Sequence, residues 1–318
     1  MDLNLLRNGL AVLTGSASGL GYAMASHCAT LQMKVILSDL RPDALKTAVE
    51  NLRKEHPNTI VEGFVCDVSS PTSVQQLLDQ VQSKFPDENI KFLSANAGVL
   101  FPKSTILTGT SEEWLTTYKV NVLGLANTLK VFANAMLLQW VQKGVESAIE
   151  ITASIAGVVN GGTGPYGTSK HASLAIAEAL LSEIRNRGAE DKIHITVLCP
   201  AIVQTALRQT SLKVANAALA TSQSNLGSMD VAMLEARGQD ASSMGAVQMF
   251  EALWTNGMEP SYCAEEVFNC LENGTFYCIL DNTIERDGFT MHVNDVIGLR
   301  TASFLTGAKP PQSAKPKL

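Results

Sequence analysis

The sequence predicts an α/β fold, a doubly wound parallel sheet with helices on both faces, three layers deep. Short, continuously apolar, β-branched runs alternate with longer helical runs from residue 9 to residue 200. Continuous apolarity marks strands buried on both faces, and right-handed crossovers then place helices on either side of them. A glycine-rich turn stands between the first strand and the first helix. Neither an internal repeat nor a linker breaks the chain, so its 318 residues read as a single domain.

Taken in order, "GLAVLTG" (9–15) is the first strand and "GLGYAMASHCATL" (19–31) the first helix. "KVILSD" (34–39) and "PDALKTAVENLRKE" (42–55) repeat the pattern. A strand at 59–68, a helix at 71–84, a strand at 90–98 and a long helix at 111–141 follow. "AIEITAS" (148–154), a helix at 168–187 and "KIHITVLCP" (192–200) complete the alternation. The core thus spans 8–205. From Thr205 to Met258 the periodicity stops, and so long an excursion reads as a substrate-binding segment or lid. A last helix (264–272) and strand (275–280) lie within a closing unit at 260–282, with a tail at 283–318 whose end is expected to be disordered.

Composition narrows the function. The chain is 46% hydrophobic and 17% charged, and no run supplies the roughly 18 uncharged apolar residues of a membrane span. A net charge of −6 without a basic stripe argues against nucleic acid as a partner. Six cysteines without C-x-x-C spacing read as reduced thiols, and five scattered histidines offer no metal site. The N-terminus lacks a secretory pattern, so a cytoplasmic location is expected. The final Pro-Lys-Leu is one residue from the peroxisomal Ser-Lys-Leu address, and a frayed tail is preferred to a peroxisomal signal.

The helices at 111–141 and 168–187 are apolar on nearly every side. A sheet covers only one side of a helix, so a second copy of the chain is expected over the other, as a homodimer or homotetramer. Folding of the 205–258 excursion across them is the competing reading.

"TGSASGLG" (14–21) lies where a dinucleotide pyrophosphate binds an α/β sheet. Gly15 permits the tight turn, Gly19 and Gly21 remove Cβ atoms, and the helix start offers N–H groups to phosphate. Asp39, ending the second strand, can hold both ribose hydroxyls of the adenosine half and repel a 2′-phosphate. It favours NAD over NADP, while Arg41 keeps NADP open; a helix cap is the other reading of Asp39. In "GPYGTSKHASLAI" (164–176), Tyr166 and Lys170 stand one helical turn apart. An ammonium about 4 Å from a phenol, at an effective dielectric near 20, contributes about 4 kcal/mol to the phenolate. The pair reads as a tuned proton donor and acceptor, or as a chance surface pair.

The spacing G-x-x-x-G-x-G resembles that of the classical short-chain dehydrogenase/reductase family, with its Rossmann-type fold. "CDV" places Asp67 at the family's adenine-holding position, and "ANAG" (95–98) resembles N-N-A-G with Ala95 for the first Asn. "KVNVLG" carries Asn121, "TASIAG" Ser154, "YGTSK" Tyr166 and Lys170, and "CPAIVQT" resembles P-G-x-V-x-T with Ala201 for the glycine. The resemblance implies catalytic roles for Asn121, Ser154, Tyr166 and Lys170. It implies cofactor contacts at Gly15, Ser18, Gly19, Leu20, Gly21, Asp39, Leu40, Asp67, Val68, Asn96, Ala97, Gly98, Tyr166, Lys170, Pro200, Val203 and Thr205. Departures are the single serine of "TASIAG", where Ala153 precedes Ser154, a shortened stretch from Ser154 to Tyr166, and the enlarged excursion.

On this reading Tyr166 exchanges the alcohol proton while hydride passes to or from NAD, and Ser154 donates to the substrate oxygen. Lys170 also holds the nicotinamide ribose, and Asn121 positions a water linking Lys170 to solvent. Leu207, Leu212, Leu226, Met229, Met233, Met244, Met249, Phe250 and Trp254 form an apolar wall suited to a secondary alcohol or its ketone. A catalytically silent NAD(H)-binding sensor and an NAD-using epimerase or dehydratase are the alternatives. A strand-end turn for Ser154 and a mid-helix packing defect for Asn121 are the corresponding residue-level alternatives.

Overall fold

The computed structural model describes residues 1–101, 104–158, 164–205, 207 and 257–280. Seven strands form one sheet: β1 (Leu10–Thr14), β2 (Lys34–Asp39), β3 (Val61–Val65), β4 (Ile90–Ala95), β5 (Ser147–Thr152), β6 (Ile193–Pro200) and β7 (Tyr277–Leu280). Every pairing is parallel and the order is β3-β2-β1-β4-β5-β6-β7. The order reverses between β1 and β4, which opens a crevice at the carboxyl ends of those strands.

The helices are α1 (Gly19–Thr30), α2 (Pro42–Glu55), α3 (Pro71–Lys84), α4 (Ser111–Tyr118), α5 (Leu125–Lys143), α6 (Gly164–Asn186) and α7 (Pro260–Glu272). Their starts follow local chemistry. Proline opens α2, α3 and α7, where its missing N–H has no helical partner to lose. At α4, Thr110 and Glu113 form a reciprocal capping box. On one face of the sheet, α3, α5 and α6 bury Leu77, Leu129, Phe132, Met136 and Leu174. On the other, α1, α2 and α7 bury Met24, Cys28, Leu52 and Phe268.

Several boundaries differ from the sequence reading. The third strand ends at Val65, not 68, because Asp67 turns the chain: its Oδ1 accepts the Ser69 N–H at 2.9 Å. The sixth helix begins at Gly164, not 168, and so takes Tyr166 into its first turn. The last helix begins four residues early, at Pro260.

The long helix runs from Ser111 to Lys143 but contains a π-helical segment, Lys119–Gly124, joining α4 to α5. By length and composition alone it passes for a membrane-crossing helix, although Lys119 and Lys130 leave it without the 18 uncharged residues in a row that the sequence reading required. Here it packs one face on the sheet through Leu125, Leu129, Phe132, Ala133 and Met136. Most of the excursion and the tail lie outside the described residues, and with them the predicted wall from Leu212 to Trp254. Of that wall only Leu207 is described, its N–H donating to Thr205 Oγ1 at 3.4 Å.

Candidate active site

The glycine loop is built by close backbone approach. Gly15 has φ +62°, and a Cβ there would lie 2.7 Å from Ala97 Cα. A Cβ on Gly21 would come within 2.6 Å of both Asn96 Nδ2 and the Gly15 carbonyl oxygen. Asn96 Nδ2 donates to the Thr14 and Gly15 carbonyls at 3.0 and 3.1 Å, tying the loop to the end of β4. Ser18 precedes α1 without a side-chain cap, so the first-turn N–H groups of Gly19, Leu20 and Gly21 form a cradle for an anion. Thr205 closes over this cradle, its side chain 3.1 Å from where a Gly19 Cβ would sit. Val203 bridges to Met258 just before it. This cradle fits a dinucleotide pyrophosphate.

Asp39 stands at the end of β2 with exposed Leu40 beside it. Its Oδ2 accepts the Ala17 N–H at 3.2 Å. Arg41 then grips it: the backbone N–H and Nε donate to Oδ1 at 3.0 and 2.9 Å, and Nη2 donates to Oδ2 at 3.1 Å. Asp67 is half-buried after β3, and Val68 next to it packs against Gly124 of the π segment.

Lys170 reaches from α6 to the end of β5, where Nζ donates to the Thr152 carbonyl at 2.7 Å. It is 4% exposed, and Nζ lies 5.8 Å from the centroid of the Tyr166 ring. Burial pulls the ammonium down to about 8, against the opposing fields of Glu150 and Cys199. The Tyr166 phenol hydrogen-bonds to Ser154. Its ionisation differs from the sequence reading: burial pushes the phenol above its ordinary value, and Ser154 offsets this only in part. The expected lowering by Lys170 is absent: the ammonium sits on the Thr152 carbonyl, 5.8 Å from the centroid of the phenol ring.

Ser154 does two things at once. Its Oγ accepts the Ala156 N–H at 3.1 Å, starting the short 3-10 turn Ile155–Gly157, and it reaches the Pro200 carbonyl at 3.5 Å. Turn residue and site residue are therefore compatible. Asn121 lies in the π segment, fully engaged: Oδ1 accepts the Val99 N–H at 2.8 Å, while Nδ2 donates to the Val99 carbonyl and to Ser169 Oγ, both at 3.0 Å. It clamps the loop after β4 to α6 beside Lys170. Gly98 lies between, where a Cβ would stand 3.4 Å from Asn121 Oδ1 and 3.7 Å from Lys170 Nζ.

Sequence reasoning missed Glu150. It sits in the middle of β5, fully buried, accepting from Ser94 Oγ at 2.6 Å and from Thr152 Oγ1 at 2.7 Å. Burial pushes its carboxyl up to about 7, against Ser94, Thr152 and Lys170. The available signal was a carboxylate inside an apolar strand, "AIEITAS".

The comparisons with known proteins agree with this geometry. The family model for short chain dehydrogenases matches residues 9–216. The chain is 31% identical over 214 residues to a 1-deoxy-11-beta-hydroxypentalenate dehydrogenase of Streptomyces avermitilis, covering 67% of this chain and 75% of that one. It is 25% identical over 268 residues to a CLA biosynthesis dehydrogenase/reductase of Lactiplantibacillus plantarum, covering 84% and 86%. A crystal structure of a short chain dehydrogenase/reductase from Burkholderia phymatum in complex with NAD superposes with a TM-score of 0.74 at 27% identity, covering 97% of this chain and 99% of that one. The matched model, the relatives and the fold agree: this chain is an oxidoreductase of the short-chain dehydrogenase/reductase family.

Proposed function

We propose that the protein interconverts an apolar secondary alcohol and the corresponding ketone with NAD(H), using Tyr166 as the general acid and base. One observation carries this: Ser154, Tyr166 and Lys170 converge at the same end of the sheet as the glycine cradle.

In this reading the N–H groups starting α1 hold the pyrophosphate, and Asp39, with Arg41 across it, faces the adenosine ribose. Lys170 holds the ribose next to the nicotinamide, which when bound takes or gives the hydride. Ser154 Oγ donates to the substrate oxygen and orients it beside the Tyr166 hydroxyl. Tyr166 Oη takes the alcohol proton in oxidation and returns it in reduction. The phenol starts above its ordinary value. Positive charge brought in with the oxidised cofactor, added to that of Lys170, supplies the field that the ammonium alone does not.

The apolar residues of the excursion support a substrate with an apolar body, and the pentalenate relative is a dehydrogenase named for a hydroxylated carboxylate. We also place a second copy of the chain on the outer face of the long helix, where Leu115, Leu123, Leu138 and Val141 are each more than half exposed. A panel of hydrophobic secondary alcohols and ketones, followed at the NADH absorbance band with NAD and NADP in parallel, tests the activity. Turnover confined to phosphorylated or polycarboxylate substrates would overturn the substrate class.

A further inference from the structure

Two charged side chains are buried against β5, Glu150 from within the strand and Lys170 from α6, and only Lys170 has a place in the reaction. A carboxylate in the middle of a parallel sheet is costly, and a buried ion pair seldom stabilises more than apolar residues of the same shape. Yet Glu150 is enclosed with its partners in place. Ser94, directly opposite on β4, donates to Oε2, and Thr152, two residues along β5, donates to Oε1. Thr152 also receives the Lys170 ammonium on its carbonyl oxygen, so one residue contacts both charged groups.

The surroundings leave the two charges to answer each other. No carboxylate lies within ion-pair distance of Lys170 Nζ among the described residues, and the carboxyl group whose field reaches it is Glu150. By strand alternation Glu150 shares the face of Ala148, towards α1, where Cys28 is the titratable neighbour. Burial pushes that thiol up, which keeps it neutral. Around Lys170 the other titratable groups are Cys199 on β6 and Tyr166 on α6. Burial raises the phenol, leaving it neutral as well.

We propose that Glu150 is a positioning residue for Lys170: its carboxylate, clamped by Ser94 and Thr152, is the counter-charge that keeps the ammonium protonated and seated on the Thr152 carbonyl. The inference rests on the oxidoreductase reading given above, because only there does the charge on Lys170 matter. Glu150 touches neither substrate nor cofactor in this scheme; it acts through Lys170.

The test reads Lys170 directly. The full chain is labelled with lysine carrying ¹³C at Cε, and Lys170 is assigned by the signal missing in Lys170→Arg. In the wild type its Cε shift should titrate near pH 8 and show a further step near pH 7, as Glu150 ionises. In Glu150→Gln, which keeps the shape but not the charge, the step near pH 7 should vanish. The Lys170 midpoint should then fall by about one unit, a tenfold loss of ammonium at fixed pH. An unchanged midpoint in Glu150→Gln overturns the proposal. Should that variant not fold, a wild-type Lys170 signal without the step near pH 7 overturns it equally. The kinetic counterpart is the alkaline limb of kcat/KM, which moves to lower pH in Glu150→Gln. Absence of turnover with every alcohol and ketone would count against the proposed function alone, since the resonance titration needs no substrate.

Discussion

Arg41 holds Asp39 from both sides of the carboxylate, with Nε 2.9 Å from Oδ1 and Nη2 3.1 Å from Oδ2. The carboxylate that would exclude a 2′-phosphate is thus paired with a guanidinium two positions on. Asp39→Ser should release the guanidinium and raise the ratio of NADP to NAD efficiency by about tenfold or more, equivalent to about 1.4 kcal/mol. Arg41→Ala should lower NADP use and leave NAD use within a few-fold. Parallel kcat/KM measurements with the two cofactors check both; an unchanged ratio in Asp39→Ser would remove Asp39 from the specificity site.

Tyr166→Phe removes the hydroxyl that exchanges the proton and leaves the ring beside Lys170. Turnover should drop by about 10² to 10⁴-fold. NADH binding, followed by quenching of protein fluorescence, should stay within a few-fold of wild type. Retained turnover would move the proton transfer to another group.

Gly21→Ala puts a methyl group 2.6 Å from the Gly15 carbonyl oxygen and Asn96 Nδ2. The loop must shift, so NADH affinity should fall by at least about tenfold. Titration calorimetry would show it. Gly188→Ala is the control for a glycine remote from the cradle: φ there is +65° with nothing within 4 Å, so stability should suffer and NADH affinity should not.

Asn121→Ala deletes one acceptor and two donated hydrogen bonds inside the protein. The Val99 N–H and C=O lose this partner and Ser169 Oγ keeps only its bond to the Tyr166 carbonyl, at a cost of about 2–4 kcal/mol in urea unfolding. A loss below about 0.5 kcal/mol would mean that the clamp on α6 is dispensable.

Glu150 also leaves a mark on stability. Its folded value, about 7, lies above the ordinary value of 4.5. The folded state therefore binds more protons than the unfolded state between those values, and the stability so gained is present below 4.5 and lost as pH rises through 7. Wild type should lose stability relative to Glu150→Gln between pH 5 and pH 7, measured by urea unfolding at both. A difference that stays flat or moves the other way contradicts the shift.

The sheet was legible because each strand is a continuous apolar run between helices, and all seven appear where the pattern placed them within a few residues. The glycine cradle was legible because close backbone approach demands glycine at fixed places. Glu150 was not, since residue type gives no sign that Ser94 sits opposite it; that pairing is a matter of register between strands far apart in sequence. The direction of the Tyr166 shift was misread for a related reason. Spacing gives the ammonium's distance along the helix, but not the burial or the competing carbonyl of Thr152. The π segment was also hidden, because its residues suit an ordinary helix equally well.

That segment stores a spare residue without disturbing the helix around it. An α-helix turns by about 100° per residue, and a π-turn accommodates one residue more than an α-turn would. Removing one residue between Lys119 and Gly124 would therefore restore a regular spiral and leave Leu125, Leu129, Phe132 and Met136 in phase with the sheet. The change would stay local: the segment would lose the spacing that sets Asn121 between Val99 and Ser169. A single deletion there should spare the core and spoil the clamp.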